Sequence, residues 1–181
     1  MENLLKKEEL FKKISIVVKK KFNQQMLESC KTNAGDTQLT ERRIITIIKS
    51  IFDSMNLTYK CAGSQQSKDF RNINDIGLDI EVKKTDSFNI YFNDTCPSKD
   101  IYYIILFTGK KYKTKSCINP KILFINGETF IKESPWISEY HKEIEILRNK
   151  YARGDNKKKL SGCMSVYPRP TYKADIKYLL I

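Results

Sequence analysis

The 181-residue chain is predicted to fold as an α/β (α+β) protein with a central mixed sheet flanked by helices. Three observations lead there. Apolar residues recur at three- and four-residue steps through the first third of the chain. The period shortens after Asn56, and the seven residues Ile101 to Phe107 are almost wholly apolar, as in a strand buried on both faces. The resulting order of helix, several strands, helix and strand fits helices laid on a sheet.

Each element has its own justification. From residue 2 to about 31, Leu4, Leu5, Leu10, Phe11, Ile14, Val17, Val18 and Phe22 form an amphipathic helix or helix pair. Asn33-Ala34-Gly35-Asp36 breaks it. Thr40 is the expected N-cap of a second helix beginning at Glu41, whose stripe of Ile44, Ile45, Ile47, Ile48, Ile51, Phe52 and Met55 is wide enough to pack deep against a sheet. Strands are expected over 57–62, 69–73, 78–85, 100–108 and 123–125, with Asn74, Asp75 and Gly77 marking a turn and Asn93-Asp94-Thr95 another. Pro135-Trp136 precedes a helix over about 137–151, followed by a Lys-rich loop and a tail with strand character.

Charge narrows the functional classes. With 33 Lys+Arg against 21 Asp+Glu the formal charge is +12. Of the basic residues 27 are Lys and six Arg, beside 23 Ile and 12 Asn, a mix that an AT-rich genome encodes, so part of the surplus reflects codon usage. Whatever its origin it attracts polyanions, and nucleic acid is the commonest of these. A 40% hydrophobic content argues against disorder throughout. The longest apolar run is far short of the roughly 20 residues a membrane span needs, and the N-terminus lacks a signal-peptide layout. The expectation is a soluble cytoplasmic protein with no membrane association. Five cysteines with no C-x-x-C pair read as reduced thiols, several inside apolar strands. His141, the only histidine, lies in Glu139-Tyr140-His141-Lys142-Glu143, which reads as a solvated helix face.

The chemistry is concentrated in Asp79-Ile80-Glu81-Val82-Lys83-Lys84. On a strand, Asp79, Glu81 and Lys83 project to one side and Ile80 and Val82 to the other. Two acids and a lysine on one face next to a buried face are an uneconomical surface strand, though cross-strand ion pairing also accommodates them. Carboxylates from neighbouring strands hold Mg²⁺ through hard oxygen ligands, and a lysine two residues along can position a water for attack on phosphorus. Asp69 lies across the Gly-containing turn, so the two extended pieces could form a hairpin that brings its carboxylate to that of Glu81. Glu41, in the expected first turn of the buried helix, could face the same site; an acid there is also favoured by the helix dipole alone.

Taken together, Glu41, Asp69 and Glu81-Val82-Lys83 resemble the PD-(D/E)xK nuclease superfamily, in particular type II restriction endonucleases, over about residues 40 to 108. One departure is Lys68, which stands where many members carry proline before the aspartate. Asp75 and Asp79 stay open as alternative first acids. The resemblance implies a restriction-endonuclease-like core and a single nuclease domain over 1–181, with a helical segment to 35, a catalytic core over 36–151 and a basic C-terminal segment over 152–181. It further implies Mg²⁺ held by Asp69, Glu81 and the Val82 carbonyl, Lys83 orienting the attacking water, and Glu41 on a second metal or a water of the first. No small-molecule cofactor beyond the metal is expected.

Basic stretches flank this acidic centre. Lys110, Lys111, Lys113 and Lys115, and in the last 30 residues Lys158 and Arg169, suit phosphate contacts, while Gln65 and Gln66 are of the type that pairs with base edges. The expected function is Mg²⁺-dependent, sequence-specific cleavage of double-stranded DNA by a homodimer, two-fold symmetry being the simplest way to cut both strands of a palindrome. A repair or junction-resolving nuclease shares the same core. A non-catalytic basic nucleic-acid-binding protein, with Glu81 and Lys83 merely paired, is the alternative from another class.

Overall fold

A computed structural model describes residues 2–31, 37–61, 68–93, 96–111, 117–151 and 171–180. The chain is α+β, built on a mixed five-stranded sheet. The N-terminal periodicity resolves into α1 (Glu2–Lys21) and α2 (Gln24–Ser29), the latter capped by the Asn23 side chain, which accepts the Met26 N–H at 2.9 Å. Next comes α3 (Thr37–Ser54). It begins one turn earlier than its Thr40 cap signal predicted, and this places Glu41 in the second turn.

The sheet runs β1 (Lys60–Cys61), β2 (Phe70–Ile73), β3 (Leu78–Thr85), β5 (Ile101–Phe107) and β8 (Lys121–Asn126) in that spatial order. Only the β3–β5 pair is parallel; the others are antiparallel. The predicted turn closes the β2–β3 hairpin over 74–77, with Asn72, Asn74 and Asp75 left-handed, a conformation these side chains tolerate, and Gly77 at φ 71°. Parallel partners need a long crossover, usually helical. Here residues 86–100 supply it and include an extra strand, β4 (Asn89–Asn93).

Strand β5 is buried at every position, and its two faces serve two cores. Tyr102, Ile104 and Leu106 join Ile14 and Val18 of α1, Ile44, Ile48 and Phe52 of α3, and Phe70, Leu78 and Ile80 of the hairpin. Tyr103, Ile105 and Phe107 face the opposite way, toward Ile90 and Phe92 of β4 and toward α4 (Glu128–Glu133), β9 (Thr171–Asp175) and α6 (Lys177–Leu180) through Phe130, Ala174 and Leu180. Strand β4 pairs with β9 as a separate two-stranded ribbon, and β6 (Lys110–Lys111) pairs with β7 (Cys117–Ile118). Helix α5 (Trp136–Tyr151) completes the fold.

Several expectations are corrected. β1 is shorter than 57–62, and neither β4 nor α4 was anticipated. The buried thiols, Cys30 and Cys96, lie outside the strands, while Cys61 on β1 is exposed. His141 is half-buried, with Nε2 3.3 Å from the Pro97 carbonyl, so its helix face is docked on the β4–β5 connection. No helix among the described residues is long and apolar enough to cross a membrane.

Candidate active site

The β2–β3 hairpin brings the two central acids together. Pairing of Phe70 with Ile80 sets Asp69 alongside Glu81, and the Asp69 carboxylate accepts the Val82 N–H at 2.7 Å. Glu81 is only 7% exposed and its Oε1 lies 2.6 Å from Lys83 Nζ. Both side chains leave β3 on the face away from α3, as alternation predicted: Lys83 Nζ stands 5.2 Å from the centre of the Phe92 ring, and Ile80 and Val82 enter the helix-side core. Asp69, Glu81, Val82 and Lys83 line a cleft of about 370 Å³ together with Glu41, Lys68, Lys84, Asn89 and Tyr91.

Electrostatics within the cleft are mutual. Burial raises the Asp69 pKa above its ordinary 3.8, and the negative charges of Glu81 and Glu41 add to the rise; the Val82 amide and the Lys83 ammonium oppose it. The Tyr103 hydroxyl, which accepts the Ser98 N–H at 3.0 Å, is pushed up first by burial and next by the charge of Glu81. Because the Asp69 pKa is raised on folding, the folded state holds that proton more tightly than the unfolded chain. Its penalty is complete above the folded pKa and disappears as pH falls to 3.8. Asp69→Asn keeps an acceptor for Val82 N–H and removes the charge. It is expected to stabilise the fold by about 1 kcal/mol at neutral pH, with the gain shrinking as pH falls toward 3.8 in urea titrations run across that range.

The alternative acids have other engagements. Asp79 pairs with Lys68 (2.6 Å) and accepts the Asn72 N–H (2.9 Å), while exposed Asp75 sits in the hairpin turn, where Asn72 Nδ2 donates to it. Lys68 has φ 86°, a conformation that a proline ring, locked near −65°, cannot adopt. Holding a lysine there costs on the order of 1–3 kcal/mol, and the Asp79 contact offsets part of it. Asp79→Ala is expected to lower stability by about 1–2 kcal/mol. A double-mutant cycle with Lys68→Ala, read by urea unfolding, is expected to return a coupling energy between the two sites.

Glu41 lines the cleft but is exposed. Dipole stabilisation of an acid fades beyond the first helical turn, so a second-turn position leaves Glu41 without that structural rationale. The donor set of two carboxylates with the Val82 carbonyl suits a hard cation, since Mg²⁺ is commonly held by one or two carboxylates with water and substrate oxygens completing its shell. Among the described residues no three His, Cys, Asp or Glu side chains converge into a ready-made metal cage.

Of the expected nucleic-acid contacts, Gln65, Gln66, Lys113, Lys115, Lys158 and Arg169 lie outside the described residues, and Lys110 and Lys111 are placed through their backbone in β6. Asn89 and Tyr91 were missed as cleft residues. The alternation of Asn89, Ile90, Tyr91 and Phe92, bounded by Ser87 and Asn93, is a strand signal that could have revealed them.

The fold and cleft together define an α+β protein with a half-buried acid–lysine centre at the open end of a hairpin. No protein-family profile, curated protein or solved structure matches the chain.

Proposed function

We propose that this chain is a Mg²⁺-dependent DNA endonuclease of the type II restriction kind, acting on double-stranded DNA as a homodimer. The observation that carries the reading is the meeting of Asp69, Glu81 and Lys83 in one cleft, on a hairpin that also buries half of its side chains in the core. A basic chain that places two carboxylates side by side against their own repulsion is organised for something other than polyanion binding alone.

The reaction is attack of a water oxygen on phosphorus, with cleavage of the P–O3′ bond and a proton passing to the departing oxygen. Asp69, Glu81 and the Val82 carbonyl are the groups that would hold Mg²⁺, with Glu41 available from α3. Bound there, the ion would supply Lewis-acid stabilisation of the charge that builds on the phosphate and its leaving oxygen. Lys83 is a compact ammonium with three donors. Its place beside Glu81 lets it orient the water and pair with a phosphate oxygen. The Val82 amide fixes the Asp69 carboxylate in the direction of the cleft.

A second reading has specific support. The short Glu81–Lys83 pair and the lack of a three-acid cage among the described residues also suit a non-catalytic nucleic-acid-binding protein. Incubation of the purified protein with plasmid and mixed genomic DNA, in Mg²⁺ or in EDTA, separates the two. Discrete fragments that require Mg²⁺ and vanish in Asp69→Ala and Lys83→Ala are the expected result. Binding without cutting under every condition would select the non-catalytic reading, and random nicking would indicate a repair-type or non-specific enzyme.

A further inference from the structure

The ribbon formed by β4 and β9 has a buried side and an outward side. Ile90, Phe92 and Ala174 pack into the core, so alternation turns Asn89, Tyr91, Lys173 and Asp175 the other way. In the register of the pair Tyr91 stands directly opposite Lys173 and Asn89 opposite Asp175. Tyr91 is 50% exposed, a large aromatic left in solvent at the mouth of the acid–lysine cleft, and Lys173 is exposed beside it. Among the described residues Lys173 makes no ion pair. Asp175 is occupied, its carboxylate accepting the Lys177 N–H at 2.8 Å at the start of α6.

Two clefts border this ribbon, one at each strand. Asn89 and Tyr91 line the one that holds Asp69, Glu81 and Lys83, while Lys173 and Asp175 line another of about 620 Å³ with Tyr172, Lys177 and Tyr178. The outward face thus sets Tyr91, at the acid–lysine cleft, directly across from Lys173, at the lysine- and tyrosine-bearing one. Opposed side chains on an antiparallel pair start about 5 Å apart at Cβ. An aromatic face and an ammonium thus arrive side by side, matched to the base and the phosphate of a nucleic-acid strand. Within a continuous duplex both faces of each base are covered by neighbours. A tyrosine at this position finds a free base face only where the strand is unpaired.

We infer that the outward face of the β4–β9 ribbon is a binding subsite for an unpaired strand adjoining the duplex at the cleft, with Tyr91 stacking on a base and Lys173 contacting phosphate. The inference rests on the nuclease reading for what the neighbouring cleft does, and it adds to the duplex held there a second ligand for the ribbon face, the single-stranded extension that a staggered cut leaves. An acidic peptide would satisfy Lys173 but would leave the aromatic face unused.

The test is equilibrium binding in EDTA, by fluorescence anisotropy, of a labelled blunt duplex and of the same duplex carrying an oligothymidine overhang. The wild-type protein is expected to favour the overhang. Tyr91→Ala is expected to reduce that preference about tenfold and Tyr91→Phe to retain it, while Lys173→Ala lowers the slope of log affinity against log salt by about one. Both positions are exposed, and unchanged melting curves show that the variants fold. A Tyr91→Ala/Lys173→Ala protein that binds both probes like wild type overturns the subsite. Mg²⁺-dependent cutting by wild type keeps the nuclease reading even then. Conversely, loss of overhang binding in a protein that never cuts sustains the subsite and removes the nuclease.

Discussion

Lys83→Ala is expected to reduce Mg²⁺-dependent cleavage by about 10³-fold, the upper part of the range for removing one positioned donor from a reacting oxyanion, while DNA binding in EDTA changes little. The expectation follows from where the ammonium is held. Lys83 lies beside a carboxylate that is itself 7% exposed and over the ring of Phe92, so its Nζ is confined to the cleft rather than sweeping solvent. Single-turnover cleavage at saturating protein measures the chemical step, and anisotropy on the same DNA measures binding. An equal loss in both would make Lys83 a binding residue and remove it from the chemistry. Retention of cutting would return Glu81 and Lys83 to the status of an ion pair on a strand.

Phe52→Ala is expected to cost about 3–5 kcal/mol, a large part of the roughly 5–15 kcal/mol that holds a domain of ordinary stability together. Phe52 is fully buried at the junction of α3 and the hairpin, with its ring centre 4.7 Å from that of Phe70 and 5.6 Å from that of Tyr59. Phe70 directly follows Asp69. A cavity at Phe52 therefore loosens the segment that aims the Asp69 carboxylate as well as the core. Urea unfolding is expected to show the midpoint falling with an unchanged slope. Phe52→Leu, which leaves a smaller void, is expected to lose markedly less.

Much of this arrangement could be read from local pattern. The Ile-rich stripe of α3, the apolar run of β5 and the Asn-Asp-Gly turn each state a period or a backbone preference that short-range physics enforces, and each appears where expected. The candidate site was legible for the same reason. Glu81 and Lys83 share a face because they are two apart on a strand, and Asp69 reaches them because the turn closes a hairpin. The start of α3 was misplaced, since a threonine inside a helix carries the same cap signal as one in front of it. Strand β4 carries a local alternation that was overlooked, and its pairing with β9, some 80 residues away, is one that local pattern does not announce.

Composition, periodicity and spacing were thus enough to establish an α+β chain with a strand that puts acids and a lysine on one side and apolar residues on the other. The tertiary structure alone decided what each candidate aspartate engages. Asp69, Asp75 and Asp79 are equivalent as residue types, and they differ only in what folding sets beside them: the Val82 amide and two carboxylates, a solvent-facing turn, or the Lys68 ammonium. It also decided that Tyr91 and Lys173, far apart in sequence, stand opposite each other at the mouth of the cleft. The physical reason is one of range. Dihedral preferences and alternation act over a few residues and are written locally, whereas burial, charge pairing and strand register between distant segments are set when the whole chain closes on its core.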